Sequence, residues 1–173
     1  MTFRYDIPRS RLKYAGIFSW QGLYKTMNEW FQEREFEFHE KLYKDKIKPV
    51  LPEIEIKWYA ERKVTGFIMY VINVEFHIWD LEEVEIMKDG KKEQTNRARF
   101  LIDFSGSVVI DYAGQFEHSE FRKKIETFIR NHIIKKEVET IHVDKLDYMI
   151  LNLHKRTKEY LDFYSKSHAY PMF

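Results

Sequence analysis

Glu75 and His77 are the two residues whose types and spacing most directly suggest chemistry. They lie two positions apart in the alternating stretch FIMYVINVEFHIW at 67–79, so a β-strand would point both side chains to one face. Asn73 shares that face, and Glu61 lies on the neighbouring predicted strand. Carboxylate and imidazole groups together suit a divalent metal ion. The alternative is a strand end that runs into water. Because no H-E-x-x-H pattern supports a metal, we predict neither a metal site nor a cofactor.

His118 and Ser119 form a second candidate pair, a histidine base beside a serine nucleophile. Adjacent side chains rarely form the hydrogen bond that activates a nucleophile, whereas a serine at a helix start is a good N-cap. His132 lies on the apolar stripe of a predicted helix and is interpreted as a core residue. The chain has six glycines and lacks the G-x-S-x-G, P-loop and dinucleotide glycine patterns. The sequence therefore predicts a protein that is not an enzyme.

Basic residues suggest a phosphate-binding patch at two places in the sequence. Arg9 and Arg11 lie among aromatic residues near the N-terminus, and Lys123 and Lys124 lie on a predicted helix. Such residues bind the backbone of nucleic acids. However, the whole chain has 29 Lys and Arg against 28 Asp and Glu, and an acidic run follows at 80–85. Nucleic-acid association is therefore an alternative prediction rather than the leading one.

The composition is that of a folded protein without disulfide bonds. The chain has 173 residues, of which 44% are hydrophobic and 17% aromatic, and it has no cysteine. Disulfides, thiolate metal sites and cysteine nucleophiles are thereby excluded. No stretch approaches the about 20 apolar residues of a membrane span, and the N-terminal segment does not resemble a secretion signal. We therefore expect a cytoplasmic protein.

The periodicity of apolar residues predicts the elements that must position these side chains. Ser19 is placed to cap a first helix, Asp89-Gly90 indicates a hairpin turn, and Gly106 suggests a bulge or kink in a long strand. In chain order the predictions are a strand over 14–20, a helix over 20–36, a connection with a short strand over 36–52, strands over 53–63, 67–79, 81–88 and 97–112, and helices over 120–136 and 138–165.

This order predicts an α+β fold. We expect a curved antiparallel sheet of about four to six strands, packed against an N-terminal helix and two C-terminal helices. Residues 14–165 would form a single domain. Residues 1–13 would form a basic N-terminal arm or a short edge strand, and residues 166–173 a C-terminal tail.

The strand over 67–79 is apolar on both faces for its first half, and this double pattern predicts a covered second face. The apolar residues of this second face are Phe67, Met69 and Val71 on this strand and Leu101 and Val109 on the strand over 97–112. The cover would be the chain's own helices, a partner subunit or an apolar ligand. This set is the predicted interaction face.

Two resemblances accompany these patterns. The segments W-Y-A-E-R-K-V at 58–64, D-G-K-K at 89–92 and the helical region after Asp111-Tyr112 resemble an uncharacterised family of archaeal conserved proteins. That resemblance implies an archaeal or archaeal-virus source and assigns no functional residue. The element order also resembles helix-grip (START-like) folds, which implies a cavity for a small apolar ligand, lined here by Trp58, Phe100 and Phe104.

The sequence thus leads to a binding or assembly module. The leading prediction is protein–protein contact, either with copies of itself or with another protein, as in a virion or other particle. The alternatives are a helix-grip carrier of a small apolar ligand and a nucleic-acid-associated protein that uses Arg9, Arg11, Lys123 and Lys124.

Overall fold

The computed structural model describes residues 3–46, 53–88, 91–114 and 138–167. These residues form an α+β fold, as predicted. Its elements are strand β1 (Phe3–Phe18), helix α1 (Trp20–Glu33), strands β2 (Glu37–Lys46), β3 (Glu53–Lys63), β4 (Ile68–Lys88) and β5 (Lys91–Ile110), a π-helical segment (Val138–Val143) and helix α2 (Asp144–Ser167).

The five strands form one open, curved antiparallel sheet in the order β1-β5-β4-β3-β2. Strands β2 to β5 are a meander of consecutive hairpins, and β1 returns to pair with β5 at the far edge. Helix α2 corresponds to the second predicted C-terminal helix. The first, over 120–136, and most of the predicted tail lie outside the described residues.

Strand β4 corrects one prediction, because the two strands predicted over 67–79 and 81–88 are a single strand. The pairing with β5 shifts between Trp79 and Glu82, which leaves an extra residue in β4. Asp80 there has a φ angle of 57°. A β-bulge of this kind bends a strand without ending it, so the polar sequence at Asp80 marks a bend rather than a turn.

Strand β1 contains residues 3–13 of the predicted arm, which form an edge strand of the sheet. Its pairing with β5 shifts between Ile7 and Ser10, where Pro8 and Arg9 lie opposite the single residue Ser105. Proline lacks the N–H group that a ladder needs, so an edge bulge accommodates it. A bulge or kink was predicted at Gly106. The bulge lies next to it in the sheet but on the other strand, in β1 opposite Ser105, whereas Gly106 itself pairs with Ile72 in regular register.

One face of the sheet forms the core with the helices. In β4 this face carries Tyr70, Ile72, Val74, Phe76 and Ile78, all at most 2% exposed. Helix α1 starts at the predicted cap, where Ser19 Oγ accepts a hydrogen bond of 3.2 Å from the Gly22 N–H. Its buried stripe, Leu23, Met27, Trp30 and Phe31, packs on this face.

Helix α2 lies so close to the sheet that there is no room for a side chain at position 106, which is Gly106. A Cβ atom there would be 2.6 Å from Ile150 Cδ1 and 2.7 Å from the Val71 carbonyl oxygen. Glycine is therefore required at this position by packing. The opposite face of the sheet carries Glu55, Glu75 and His77 and lies away from α1 and α2. It is hereafter called the open face.

Candidate functional site

The open face of the sheet separates the residues of the metal group considered from the sequence. Glu75 lies opposite Lys57, and their charged groups are 3.3 Å apart. Glu61 lies opposite Val71, away from His77, and accepts a hydrogen bond of 2.6 Å from the Tyr59 hydroxyl. These two carboxylates therefore do not join His77 in one group.

Two other carboxylates, Glu53 and Glu55, lie beside His77. His77 Nε2 is 2.5 Å from Glu53 Oε1, and Glu55 is the direct cross-strand partner of His77. One ligand atom from each of the three residues lies within 4.8 Å of the other two. Glu53 is only 9% exposed, so its carboxylate is held in a largely buried place. Hereafter Glu53, Glu55 and His77 are called the triad.

Trp79 completes the surroundings of the triad. Its ring stacks on the His77 ring, with centroids 4.1 Å apart and an interplanar angle of 18°. This contact fixes the plane of the imidazole. The triad could have been found from the sequence by hairpin arithmetic. If Lys63 pairs with Met69 across the Gly66 turn, the two residue numbers of every further pair in the hairpin have the same sum. This places His77 opposite Glu55.

The two described residues of the predicted basic patch converge on one acid. Arg11 donates two hydrogen bonds to Asp103, at 2.7 and 3.0 Å, and Arg9 donates one at 3.1 Å. The Asp103 side chain is only 8% exposed. The hydrogen bonds from Arg11, with the charges of both arginines, hold the pKa of Asp103 below its usual value despite burial. Lys123 and Lys124 lie outside the described residues.

The predicted interaction face is unevenly exposed. Phe67 is 44% exposed, and Met69 and Leu101 are half-buried, whereas Val71 and Val109 are 4% and 8% exposed. Only one copy of the chain is present, so the chain's own atoms bury these two valines. The exposed part of this face is therefore its Phe67 end.

The residues predicted to line a ligand cavity are packed in the core. Trp58, Phe100 and Phe104 are at most 3% exposed. Trp58 contacts Phe76 edge to face at 4.5 Å, and Phe104 stacks under His154 at 5.3 Å. A separate cleft of about 370 Å³ lies between the start of α1 and the sheet, and it is lined by Trp20, Gln21, Ile54, Ile56, Ile78, Gln94 and Asn96, among others.

Exposed apolar residues cluster instead on the outer side of α2. Tyr148 is 73% exposed, Leu151 46%, and Ile141 in the π-helical segment 54%. Beside them a shallow groove of about 500 Å³ runs towards Arg34 at the end of α1. The spacing of apolar residues in the sequence does not predict that this stripe is exposed, because Tyr148 and Leu151 lie next to buried apolar positions of the same helix.

Two histidines with serine or tyrosine partners join α2 and the π-helical segment to the sheet. Ser10 Oγ lies 2.7 Å from His154 Nδ1, and the Tyr70 hydroxyl lies 2.8 Å from His142 Nδ1. Burial, with the nearby Lys158 and Lys145, lowers the pKa of His154 and His142 respectively. Both pairs connect packed elements and are interpreted as structural. His118, Ser119 and His132 lie outside the described residues.

Within the described ranges, no helix combines the length and the apolar character needed to cross a membrane. Comparison with protein-family models gives no match, and comparison with curated protein sequences gives none either. Function is therefore inferred from the residues of this chain.

Proposed function

We propose that the protein is a non-enzymatic binding module that works through protein–protein contacts, and that it associates with a second copy of itself. The observation that carries the proposal is the exposed apolar stripe of α2. Tyr148 and Leu151 expose a large part of their surface in the same stretch of helix, and Ile141 continues the apolar surface. Grouped exposed apolar side chains mark interaction surfaces, and tyrosine is among the residues that carry most binding energy.

The spacing of this stripe suits helix-on-helix packing. Asp144, Tyr148, Leu151 and Lys155 follow one another at i, i+4, i+7 and i+11, and all four are exposed. These intervals repeat about every 3.5 residues, which is the period of a seam between two helices. Helix α2 is packed against the sheet along its other side, through Leu146, Ile150 and Leu153, so its outer side is available to a partner.

A second copy fits the charges of the stripe. In an antiparallel pair of α2 helices with the two-fold axis between Tyr148 and Leu151, each Tyr148 faces the partner's Leu151. The same symmetry places Asp144 of each copy against Lys155 of the other. An apolar centre with opposite charges at both ends is a self-complementary surface, as an interface with two-fold symmetry requires.

Native mass spectrometry at low salt, with a denatured control, is the first test. We expect a dimer of bare chains. Tyr148→Asp should convert it to a monomer, because a charge would be buried at the centre of the seam. Phe67→Asp is the matched control, since it places the same charge on an exposed aromatic residue of the open face and should leave the dimer intact.

A charge reversal tests the register of the two helices. Asp144→Lys should weaken the dimer, because lysines would face each other, and the double change Asp144→Lys with Lys155→Asp should restore it. A bare monomer in the wild type would overturn self-association. A dimer that persists in Tyr148→Asp but is lost in Phe67→Asp would instead place the interface on the predicted interaction face.

The cleft beside Trp20 supports a second candidate function, the carriage of a small ligand with an apolar body. It is lined by the apolar residues Ile54, Ile56 and Ile78 together with polar residues such as Gln94 and Asn96. Apolar and polar groups that converge in a concave site are typical of ligand sites. In the same mass spectrum, added mass that is lost on denaturation and is absent from Ile56→Trp would support it.

Nucleic-acid association receives less support. Arg9 and Arg11 are both bound to Asp103, which neutralises part of the charge that phosphates would meet. A backbone-binding protein should lose affinity steeply as salt rises. Binding to single or double strands that is unchanged between low and moderate salt would exclude this mechanism.

A further inference from the structure

We propose that the triad of Glu53, Glu55 and His77 binds a divalent transition metal ion on the open face of the sheet. The three residues offer two carboxylate oxygens and one imidazole nitrogen within 4.8 Å of one another. Imidazole nitrogen is a ligand for zinc, nickel, cobalt and copper rather than for magnesium or calcium, which prefer oxygen alone. This inference is independent of self-association through α2.

The backbone holds the three ligands in place. Glu53 and Glu55 are two positions apart on β3 and therefore share one face. His77 pairs directly with Glu55 across the β3–β4 ladder. Metal–ligand bonds of about 2.0–2.2 Å bring donor atoms to about 3 Å from one another. The side chains of the triad can reach this separation by small rotations, without movement of the strands.

Glu53 and His77 already contact each other through two atoms that would bind the metal. Glu53 Oε1 and His77 Nε2 are 2.5 Å apart. A metal ion would bond to both atoms and replace this contact. The burial of Glu53 keeps this carboxylate poorly hydrated, which lowers the cost of stripping water from it.

The donor set of the triad selects among metal ions. It offers two carboxylates and one imidazole, and the next pair on this face, Lys57 with Glu75, is already an ion pair. An ion that bonds strongly to imidazole therefore has the advantage. This reasoning favours Ni²⁺, Cu²⁺ and Zn²⁺ over Mn²⁺.

Trp79 provides a reporter for the site. Its ring is 4.1 Å from the His77 ring, whereas Trp30 and Trp58 are buried on the core face. Ni²⁺ and Cu²⁺ quench tryptophan fluorescence at short range. Titration of tag-free protein with NiCl₂ should therefore quench the Trp79 part of the emission at saturation. Trp79→Phe should abolish this quenching but keep the rise in melting temperature that ZnCl₂ produces.

Two variants decide whether the triad is the site. His77→Ala and Glu53→Gln should each remove both the quenching and the ZnCl₂ effect. His39→Ala is the matched control, because His39 is an exposed histidine on the neighbouring strand β2 and stacks on Tyr59. Its quenching should equal that of the wild type. No quenching in the wild type, or equal quenching in His77→Ala, would overturn the proposal.

Discussion

Arg11 and Asp103 form a two-point ion pair across the β1–β5 ladder, with hydrogen bonds of 2.7 and 3.0 Å. Arg9 joins them because the bulge in β1 brings two arginines to the same acid. The pair therefore connects the edge strand β1 to its neighbour β5. We expect it to contribute to stability, because Asp103 is nearly buried while the arginines are half exposed.

Replacement of Asp103 by Asn should destabilise the protein by about 1–3 kcal/mol, since charged hydrogen bonds are lost but the arginines stay solvated. The hydrogen bonds from Arg11 lower the pKa of Asp103 in the folded state. The wild type should therefore lose this stabilisation as pH falls below about 4, and Asp103→Asn should lose less. Urea unfolding at several pH values measures both effects. Asp80→Asn, which removes an exposed pair with Arg99, is the control and should change little.

Gly106→Ala should lower stability by about 1–3 kcal/mol, because an added methyl group overpacks the contact between α2 and the sheet. The new carbon would meet Ile150 Cδ1 at 2.6 Å and the Val71 carbonyl oxygen at 2.7 Å, and backbone cannot move aside. Gly66→Ala is the matched control, since a Cβ there meets nothing within 4 Å. Thermal unfolding that is equal in the two variants would contradict the close approach of α2.

His142 and His154 should make stability depend on pH between about 7 and 5. Burial lowers the pKa of both rings, so the unfolded chain binds protons more readily than the folded one. Stability is therefore lost as pH falls below the unfolded histidine pKa of about 6.5. The double variant His142→Gln with His154→Gln should show a flatter melting-temperature profile in this range. His39→Gln should keep the wild-type slope, and an unchanged slope in the double variant would refute the assignment.

The hydroxyl group of Tyr59 should lose its proton at a higher pH than that of an ordinary tyrosine. Burial and the hydrogen bond to Glu61 raise its pKa to about 12. Glu61→Gln should bring that pKa down, because the neutral amide no longer opposes a phenolate. Ultraviolet difference absorbance measures the change, and Tyr59→Phe identifies the signal. Glu75→Gln, on the same face but bound to Lys57, should leave the titration of Tyr59 as it is.

The local parts of the fold were predictable from the sequence. Ser19 caps α1, and the strand predicted over 53–63 is β3 residue for residue. These features depend on neighbours in the chain, which pattern and capping rules describe. The prediction that divided β4 into two strands was wrong, because a polar residue such as Asp80 with a positive φ angle occurs in a bulge as well as in a turn.

The candidate sites depend on pairing, which composition does not reveal. The metal group considered from the sequence joined His77 to Glu61, whereas the β3–β4 register brings Glu53 and Glu55 to it. The partner of Arg11 was less accessible still, because Asp103 reaches it only through the non-local β1–β5 ladder. The exposure of Tyr148 required knowledge of which side of α2 meets the sheet.

The β1–β5 ladder also has a consequence for synthesis of the protein. Arg9 and its partner Asp103 are separated by 94 positions in the chain. At roughly 5–20 residues per second, a ribosome adds β5 about 5–20 s after β1. During that interval the apolar side of β1, with Ile7, Leu12 and Phe18, has no sheet to join. Closure of the sheet by its first strand is therefore a late event, and nascent chains that end before β5 should be good chaperone substrates.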